Sequence, residues 1–298
     1  MIDKLVLGTV QLGLKYGINN KFGKPSRKYS LQLLDKAYEI GIRNFDTASA
    51  YGDAEEILGE WISKNGIKNS VKIISKLKPN ALESEHDVGR IIRNNVNDSI
   101  KRLKIDFLNG YLLHTPEYVY RNDVLKELYE CKISGLISHL GVSIYEENDA
   151  IYAANNRYID YIQIPYSFLD QRIDKTDFFN IAKTNKKTVF ARSPFVQGLI
   201  FMDYNSIPEN LIKAKEYLKY FDDIIAKYNV TRQEASLLFS LQQSKNDFTV
   251  FGVDTIEQLV EVCEIAVSNR KIDNCITELK KEFGMTDRSI VIPNLWKK

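Results

Sequence analysis

The sequence is poor in several features that mark special classes of protein. It has three cysteines, Cys131, Cys263 and Cys275, and their odd number and wide spacing argue against a disulfide framework and against a zinc clip. No apolar run approaches the roughly 18 residues that a membrane span needs. The first residues lack the apolar segment of a signal peptide, so we expect a cytoplasmic protein without a membrane partner.

An excess of charge of one sign is also missing. The chain has 41 Lys and Arg against 39 Asp and Glu, which gives a formal net charge of +2. Proteins that bind nucleic-acid backbones usually carry a clear basic excess, so we expect no nucleic-acid partner. Hydrophobic residues make up 44% and charged residues 27% of the chain, which is typical of a globular protein with a full core.

The chain does contain a regular alternation of short apolar runs and helical patterns. The apolar runs predict eight strands, at residues 4–8, 42–45, 71–75, 107–113, 136–142, 161–164, 188–191 and 248–251. Strands that alternate with helices favour a parallel sheet, and eight such units favour an α/β fold of the closed (β/α)8 TIM-barrel type. An open doubly wound sheet is the alternative. No linker divides the chain, so we expect a single domain over residues 1–298, with the barrel at about 4–267 and a C-terminal helix and tail at 268–298.

Ionisable side chains follow the predicted strands. Asp46 and Tyr51 follow the second strand, Lys76 the third and His114 the fourth. The carboxyl ends of all barrel strands meet at one face, so we expect these four side chains to converge there. Taken singly, each has an ordinary structural explanation as a cap, an ion-pair partner or a packing residue. Together they form a set suited to proton transfer.

The chemistry of this set can be argued from its residue types. A free phenol has a pKa of about 10 and is a reluctant acid at neutral pH. At about 4 Å and an effective dielectric near 20, a lysine would stabilise the phenolate by about 4 kcal/mol, so we expect Lys76 to lower the pKa of Tyr51. Asp46 would keep Lys76 protonated, and His114 could donate a hydrogen bond to a substrate oxygen. Such a site suits the reduction of a carbonyl by hydride.

These residues and their surroundings resemble the aldo-keto reductase family. The segment 41–52, which contains Asp46 and Tyr51, is very similar to the family's most diagnostic stretch, and Lys76 and His114 match its two remaining catalytic positions. The likeness runs from about residue 5 to residue 267. It implies a TIM barrel that uses NAD(P)H to reduce an aldehyde or ketone reversibly to an alcohol, without a metal. Tyr51 would be the general acid, activated by Lys76 and Asp46, and His114 would orient the carbonyl.

The same resemblance implies positions that bind the dinucleotide. Ser143 and Gln163 match the segments that hold the nicotinamide carboxamide. Residues 193–199 resemble the loop near the pyrophosphate, and residues 252–259 resemble the segment around the adenosine. The full set of implied cofactor-binding residues is Gly8, Thr9, Ser143, Gln163, Arg192, Ser193, Pro194, Gln197, Gly198, Leu199, Gly252, Asp254, Thr255 and Gln258.

Three departures from the family pattern bear on function. The first strand begins at about Lys4, which leaves no room for the N-terminal hairpin of many relatives. Arg192 stands where members of this type often stack an aromatic ring on the nicotinamide; its guanidinium could stack as well, bind an anionic part of the cofactor or substrate, or form a structural ion pair. Asp254 stands where many relatives hold the 2′-phosphate of NADPH, the family's default cofactor. A carboxylate there would repel that phosphate and favour NADH or the use of both dinucleotides, unless Asp254 faces solvent.

The substrate is only weakly indicated. The first loop (residues 11–30) is long and polar, which would suit a sugar or a sugar derivative. Two other functions stay open. Lys76 at a strand end could form a Schiff base in an aldolase. Some relatives with this fold act as non-enzymatic, cofactor-binding regulatory subunits of membrane channels.

Overall fold

Eight parallel strands form a closed barrel in a computed structural model that describes residues 1–83, 87–243, 245–268 and 270–296. Each strand pairs with the next along the chain, and the last pairs with the first. The strands are β1 (Leu5–Gly8), β2 (Asn44–Asp46), β3 (Lys72–Lys76), β4 (Gly110–Leu113), β5 (Leu140–Ser143), β6 (Tyr161–Pro165), β7 (Thr188–Arg192) and β8 (Phe248–Phe251). The prediction of a (β/α)8 barrel is confirmed.

Helices surround the barrel and connect its strands. Within the described residues they are α1 (Val10–Gly13), α2 (Arg27–Ile40), α3 (Ala54–Asn65), α4 (Val88–Leu103), α5 (Asn122–Ile133), α6 (Glu147–Asn155), α7 (Phe178–Thr184), α8 (Ala214–Lys227), α9 (Arg232–Leu241), α10 (Ile256–Val267), α11 (Asp273–Phe283) and α12 (Arg288–Val291). Helix α2 ends as its sequence predicts, because Gly41 adopts the left-handed conformation with φ 116° that a C-terminal cap requires. Residues Ile2–Lys4 form a 3-10 turn that leads directly into β1.

The predicted strand bounds differ most at β4 and β5. The apolar runs begin at residues 107 and 136, whereas the regular strands begin at Gly110 and Leu140. The two early segments still touch through an isolated parallel bridge between Leu108 and Ile137. Hydrophobic runs therefore overestimate the length of these strands, because apolar residues before the amino-terminal ends of the strands are buried without joining the regular ladder.

Apolar side chains form two layers, one outside the strands and one inside the barrel. The larger layer lies between strands and helices, as where Phe45 packs against Trp61 with ring centroids 5.2 Å apart. A smaller cluster fills the inside of the barrel with Val6, Ile74, Leu112, Phe190 and Val250. Because this cluster closes the interior, a ligand is confined to the end where the strands terminate.

The register of the strands brings the polar strand ends together. Asp46 of β2 lies beside Gly8 of β1 on one side and beside Ile74 of β3 on the other. Ser143 of β5 lies beside Gln163 of β6.

Among the described residues, no helix is long and apolar enough to cross a membrane. The three cysteines are buried, unpaired and remote from these strand ends.

Candidate active site

A cavity of about 280 Å³ opens at the carboxyl ends of the strands. All the predicted site residues line it except Lys76, Leu199 and Thr255. Lys76 lies directly beneath the cavity, with 1% of its side chain exposed. Leu199 is fully buried in the core, and the Thr255 hydroxyl accepts a hydrogen bond from the Gln258 backbone N–H at the start of α10. The structure therefore does not place Leu199 and Thr255 on the lining of the cavity.

Lys76 connects the catalytic candidates. Its Nζ lies 2.6 Å from Asp46 Oδ2, 2.9 Å from the Thr47 carbonyl oxygen and 3.3 Å from the Tyr51 hydroxyl oxygen. The three N–H bonds of the ammonium thus have three acceptors. The other oxygen of Asp46 accepts a hydrogen bond of 2.8 Å from Gln163 Nε2. Side chains of β2, β3 and β6 thus form one network, in which Lys76 makes the contact with the Tyr51 hydroxyl.

Burial changes the acid–base properties that the sequence predicts for Tyr51 and Lys76. Burial raises the pKa of Tyr51 more than the Lys76 ammonium lowers it, so the pKa of the phenol lies above its ordinary value. Lys76 acts in the expected direction, but the expected net lowering of the Tyr51 pKa is wrong. Burial alone would lower the pKa of Lys76, yet Asp46 and Tyr51 outweigh it and raise that pKa. The ammonium therefore stays protonated beside a neutral phenol that can donate its proton.

His114 is held as a neutral imidazole. Burial, followed by the positive charges of Lys76 and Arg192, lowers its pKa to about 3. Its ring lies edge-on to the Tyr51 ring, with centroids 5.8 Å apart and planes at 87°. Both rings line the cavity. A substrate oxygen near the Tyr51 hydroxyl would therefore lie beside a neutral histidine that can donate one hydrogen bond.

Several buried polar atoms around the cavity lack a partner within the described part of the chain. They are Gln11 Oε1, His114 Nδ1 and Arg192 Nε, and all three residues line the cavity. The Ser143 hydroxyl donates to Gln163 Oε1 at 3.3 Å, and both side chains keep further hydrogen-bonding capacity. Unpartnered buried polar groups are costly, so these atoms favour a polar ligand in the cavity.

The loop after β7 presents backbone to the cavity in an unusual conformation. Ser193, Val196, Gln197 and Gly198 all have positive φ, between 46° and 88°. The first loop folds against this segment, where the Ile18 N–H donates to the Gln197 carbonyl at 3.0 Å. A Cβ on Gly198 would lie 3.2 Å from the Asn19 Cβ, so the close approach of the two loops favours glycine.

Asp254 lies on the cavity wall rather than facing open solvent. Its carboxylate accepts a hydrogen bond of 3.1 Å from Asn20 Nδ2 of the first loop. Its backbone N–H donates to Gln258 Oε1 at 2.8 Å. Burial raises the pKa of Asp254 above its ordinary value. The first loop therefore closes over the cavity and is attached to both the β7 and the β8 connections.

Sequence reasoning missed several residues that line the cavity. The Tyr145 ring lies under the Arg192 guanidinium, and Gln11, Phe201 and Tyr16 complete the walls. The sequence held a signal for one of them: Tyr145 lies two residues after Ser143, so alternation would have placed both on one side of an extended chain. Gln11 belongs to helix α1, where residues two positions apart do not share a face, so it had no such signal. The positions of Tyr16 and Phe201 depend on how the loops fold, for which the sequence has no comparable signal.

Comparison with known proteins identifies the family of the chain. The family model described as "Aldo/keto reductase family" matches residues 4–279. The chain is 30% identical over 210 residues to aldo-keto reductase YhdN of Bacillus subtilis, a match that covers 66% of this chain and 60% of that protein. It is 24% identical over 325 residues to an NADH-specific methylglyoxal reductase of Escherichia coli, with 95% of each chain covered.

A solved structure supports the fold separately. Aldo-keto reductase AKR11C1 from Bacillus halodurans, in its holo form, superposes with a TM-score of 0.76 at 19% identity, covering 96% of this chain and 94% of that chain. At this identity the likeness concerns the fold. Within the described residues, no group of three or more His, Cys, Asp or Glu has the arrangement of a metal site. From the family match over nearly its whole length, the chain belongs to the aldo/keto reductase family of oxidoreductases.

Proposed function

We propose that this protein is a carbonyl reductase that uses a nicotinamide dinucleotide to reduce an aldehyde or ketone reversibly to an alcohol. The observation that carries the proposal is the Tyr51 hydroxyl, 3.3 Å from a buried ammonium and at the floor of a polar cavity. This arrangement presents a proton donor to an oxygen that gains negative charge.

The cavity residues fit a dinucleotide. Gln11 offers a buried polar atom that has no partner among the described residues, and Ser143 and Gln163 lie side by side on β5 and β6, where an amide could hydrogen bond to both. The backbone of residues 193–198 runs along the same wall, and Asp254 lies at the β8 end of the cavity. These residues would hold a reduced nicotinamide, which would supply the hydride for the carbonyl carbon.

The residues of this chain supply the proton and the orientation. His114 and Tyr51 both hydrogen bond to the carbonyl oxygen and place the carbonyl carbon toward the Ser143 and Gln163 side of the cavity. As negative charge develops on the oxygen, Tyr51 donates its hydroxyl proton to it. The Lys76 ammonium then stabilises the phenolate, and Asp46 keeps the ammonium protonated and in place. Proton uptake from solvent restores the phenol.

Asp254 favours NADH over NADPH in this proposal. Its carboxylate lies on the wall of the cavity and is tied to Asn20, so a 2′-phosphate beside it would meet a negative charge. The ribose hydroxyls of NADH could instead donate hydrogen bonds to it, as they do to acidic residues in other dinucleotide sites. The NADH specificity named for the Escherichia coli relative is consistent with this preference, against NADPH as the family default.

The substrate and the aldolase alternative can also be weighed. The polar residues Asn19 and Asn20 line the cavity and suit a polar substrate such as a sugar derivative. Schiff-base chemistry needs a lysine that reaches the substrate. Lys76 is buried beneath the cavity and bonded to three acceptors, which counts against an aldolase.

The test is to follow the absorbance of NADH or NADPH with a panel of aldehydes. We expect carbonyl-dependent oxidation that Tyr51→Phe reduces by about 100-fold or more, the usual range for loss of a general acid. The dissociation constant of the dinucleotide should change little, because Tyr51 is not among the residues proposed to bind it. Tyr16→Phe, which removes a second phenol from the same cavity, is the matched control and should cause a much smaller loss. Full activity of Tyr51→Phe would refute the proposal.

A further inference from the structure

Arg192 is a cation at the catalytic cavity that forms no salt bridge with a carboxylate of the described residues. It ends β7, and its guanidinium carbon lies 4.3 Å from the centroid of the Tyr145 ring. Its Nη2 donates to the Ile144 carbonyl oxygen at 3.0 Å. Its Nε is buried and has no hydrogen-bond partner in the part of the chain that the structure describes. The side chain is therefore held in place, with a buried donor unused.

Two carboxylates that share a cavity or a cleft with Arg192 are already paired with other cations. Asp46 binds Lys76 at 2.6 Å. Asp170, which lines the same small cleft as Arg192, forms two hydrogen bonds with Arg172, at 2.8 and 3.0 Å. Over the described residues, Arg192 takes part in no salt bridge. Taking a cation out of water without a counter-ion is unfavourable, so an anion brought in by a ligand would be stabilised here.

The free charge lies close to the groups that would hold the carbonyl. Arg192, Tyr51 and His114 all line one cavity. The Arg192 guanidinium is one of the charges that hold the pKa of His114 low, after burial and Lys76, which places its field at the imidazole. The phenol of Tyr16 also lines this cavity, and burial raises its pKa, so it brings no negative charge to Arg192 at neutral pH. An anion beside Arg192 would therefore share the cavity with a carbonyl held by Tyr51 and His114.

We propose that Arg192 binds a carboxylate of the substrate, so that the preferred substrates are oxo acids whose carboxylate lies within a few bonds of the carbonyl carbon. A planar guanidinium matches a carboxylate better than it matches a neutral ester or alcohol. This inference rests on the proposed carbonyl reduction and adds the substrate class to it. The reaction keeps the same balance: one hydride goes to carbon, one proton from Tyr51 goes to oxygen, and the carboxylate is unchanged.

The experiment compares acids with their own methyl esters at saturating dinucleotide. The pairs are pyruvate with methyl pyruvate, and succinic semialdehyde with its methyl ester. The measured quantity is kcat/KM for the acid divided by kcat/KM for the ester, and the comparison between variants cancels the intrinsic reactivity of each carbonyl. We expect this ratio to fall about 10- to 100-fold in Arg192→Gln, as for loss of a charged hydrogen bond, and by less in Arg192→Lys.

A matched control removes another cation from the same cavity. Lys21 is exposed and lines the cavity, so Lys21→Gln changes the net charge equally. Solvent screens an exposed charge, and we expect the ratio in Lys21→Gln to stay within about twofold of the wild type. A fall as large as that in Arg192→Gln would show a general charge effect and would overturn the proposal.

The remaining outcomes separate this proposal from the proposed function. If neutral aldehydes are reduced through Tyr51 but the acid-to-ester ratio is the same in wild type and Arg192→Gln, the carboxylate proposal is overturned and carbonyl reduction stands. A parallel loss for acids and esters with weaker dinucleotide binding would assign Arg192 to the cofactor and also overturn it. If no carbonyl is reduced, calorimetric titration with oxamate and ethyl oxamate decides: tighter oxamate binding that Arg192→Gln removes supports the carboxylate site, and equal binding refutes it.

Discussion

His114 should make the folded protein sensitive to mild acid. Its pKa is about 3 in the folded chain against an ordinary value of 6.5, because burial and the charges of Lys76 and Arg192 disfavour the imidazolium. Between these two values the unfolded chain binds a proton that the folded chain does not, so stability is full above about pH 6.5 and is lost as the pH falls toward 3. From pH 7.5 to pH 4.5 this one group should cost roughly 2–3 kcal/mol.

The assay is urea unfolding of His114→Gln and wild type at several pH values between 7.5 and 4.5. Glutamine keeps a neutral polar side chain and has no proton to gain. Between pH 7.5 and pH 4.5 the free energy of unfolding of the variant should therefore fall by roughly 2–3 kcal/mol less than that of the wild type. His139→Gln is the matched control, since it removes a histidine that stacks on Tyr161 at the opposite end of the barrel. If wild type and both variants lose stability in parallel, His114 is not held neutral by its surroundings and the argument for its role as a neutral donor fails.

Three further predictions concern how the site is built. Asp46→Asn leaves the Lys76 ammonium buried without its counter-ion, so unfolding in urea should show a loss of about 3–5 kcal/mol; a loss below 1 kcal/mol would mean that the pair is not needed. Gly13→Ala would place a Cβ 1.7 Å from the Tyr51 carbonyl oxygen and displace that residue, so kcat should fall about 10- to 100-fold, whereas Gly66→Ala, with no atom within 4 Å of its Cβ, should leave kcat near wild type. Asp254→Ser removes the carboxylate from the cavity wall and should tighten NADPH binding relative to NADH by about tenfold, about 1.4 kcal/mol; unchanged relative affinity measured by fluorescence titration would show that Asp254 does not select the cofactor.

The barrel was predictable because its strands are buried on both faces. Such strands appear in the sequence as short continuous apolar runs between helical patterns, and parallel strands must end at a common face. This alone was enough to bring Asp46, Lys76 and His114 together. The runs were less informative at the amino-terminal ends of the strands, where Leu108 and Ile137 are buried without belonging to the regular strands.

Properties that depend on burial were not predictable in the same way. The charge of Lys76 correctly indicated a stabilised phenolate at Tyr51, but the larger effect of burial, which raises the pKa, requires knowledge of the surrounding atoms. The bond between Asn20 and Asp254 joins residues separated by 234 positions, and no local pattern announces it. The lack of a salt bridge at Arg192 likewise depends on tertiary structure, because Asp170 binds Arg172 and Arg192 donates to a backbone carbonyl instead.

The most direct test of the central claim is the rate of hydride transfer in a single turnover. The reduced dinucleotide, with hydrogen or deuterium at the transferred position, is mixed in a stopped-flow instrument with carbonyl substrate and either wild-type protein or Tyr51→Phe. If Tyr51 protonates the oxygen as the hydride arrives, the transfer step should slow by about 100- to 10,000-fold in the variant and show a primary isotope effect. Transfer in Tyr51→Phe at the wild-type rate, with the dinucleotide bound equally well, would contradict the account.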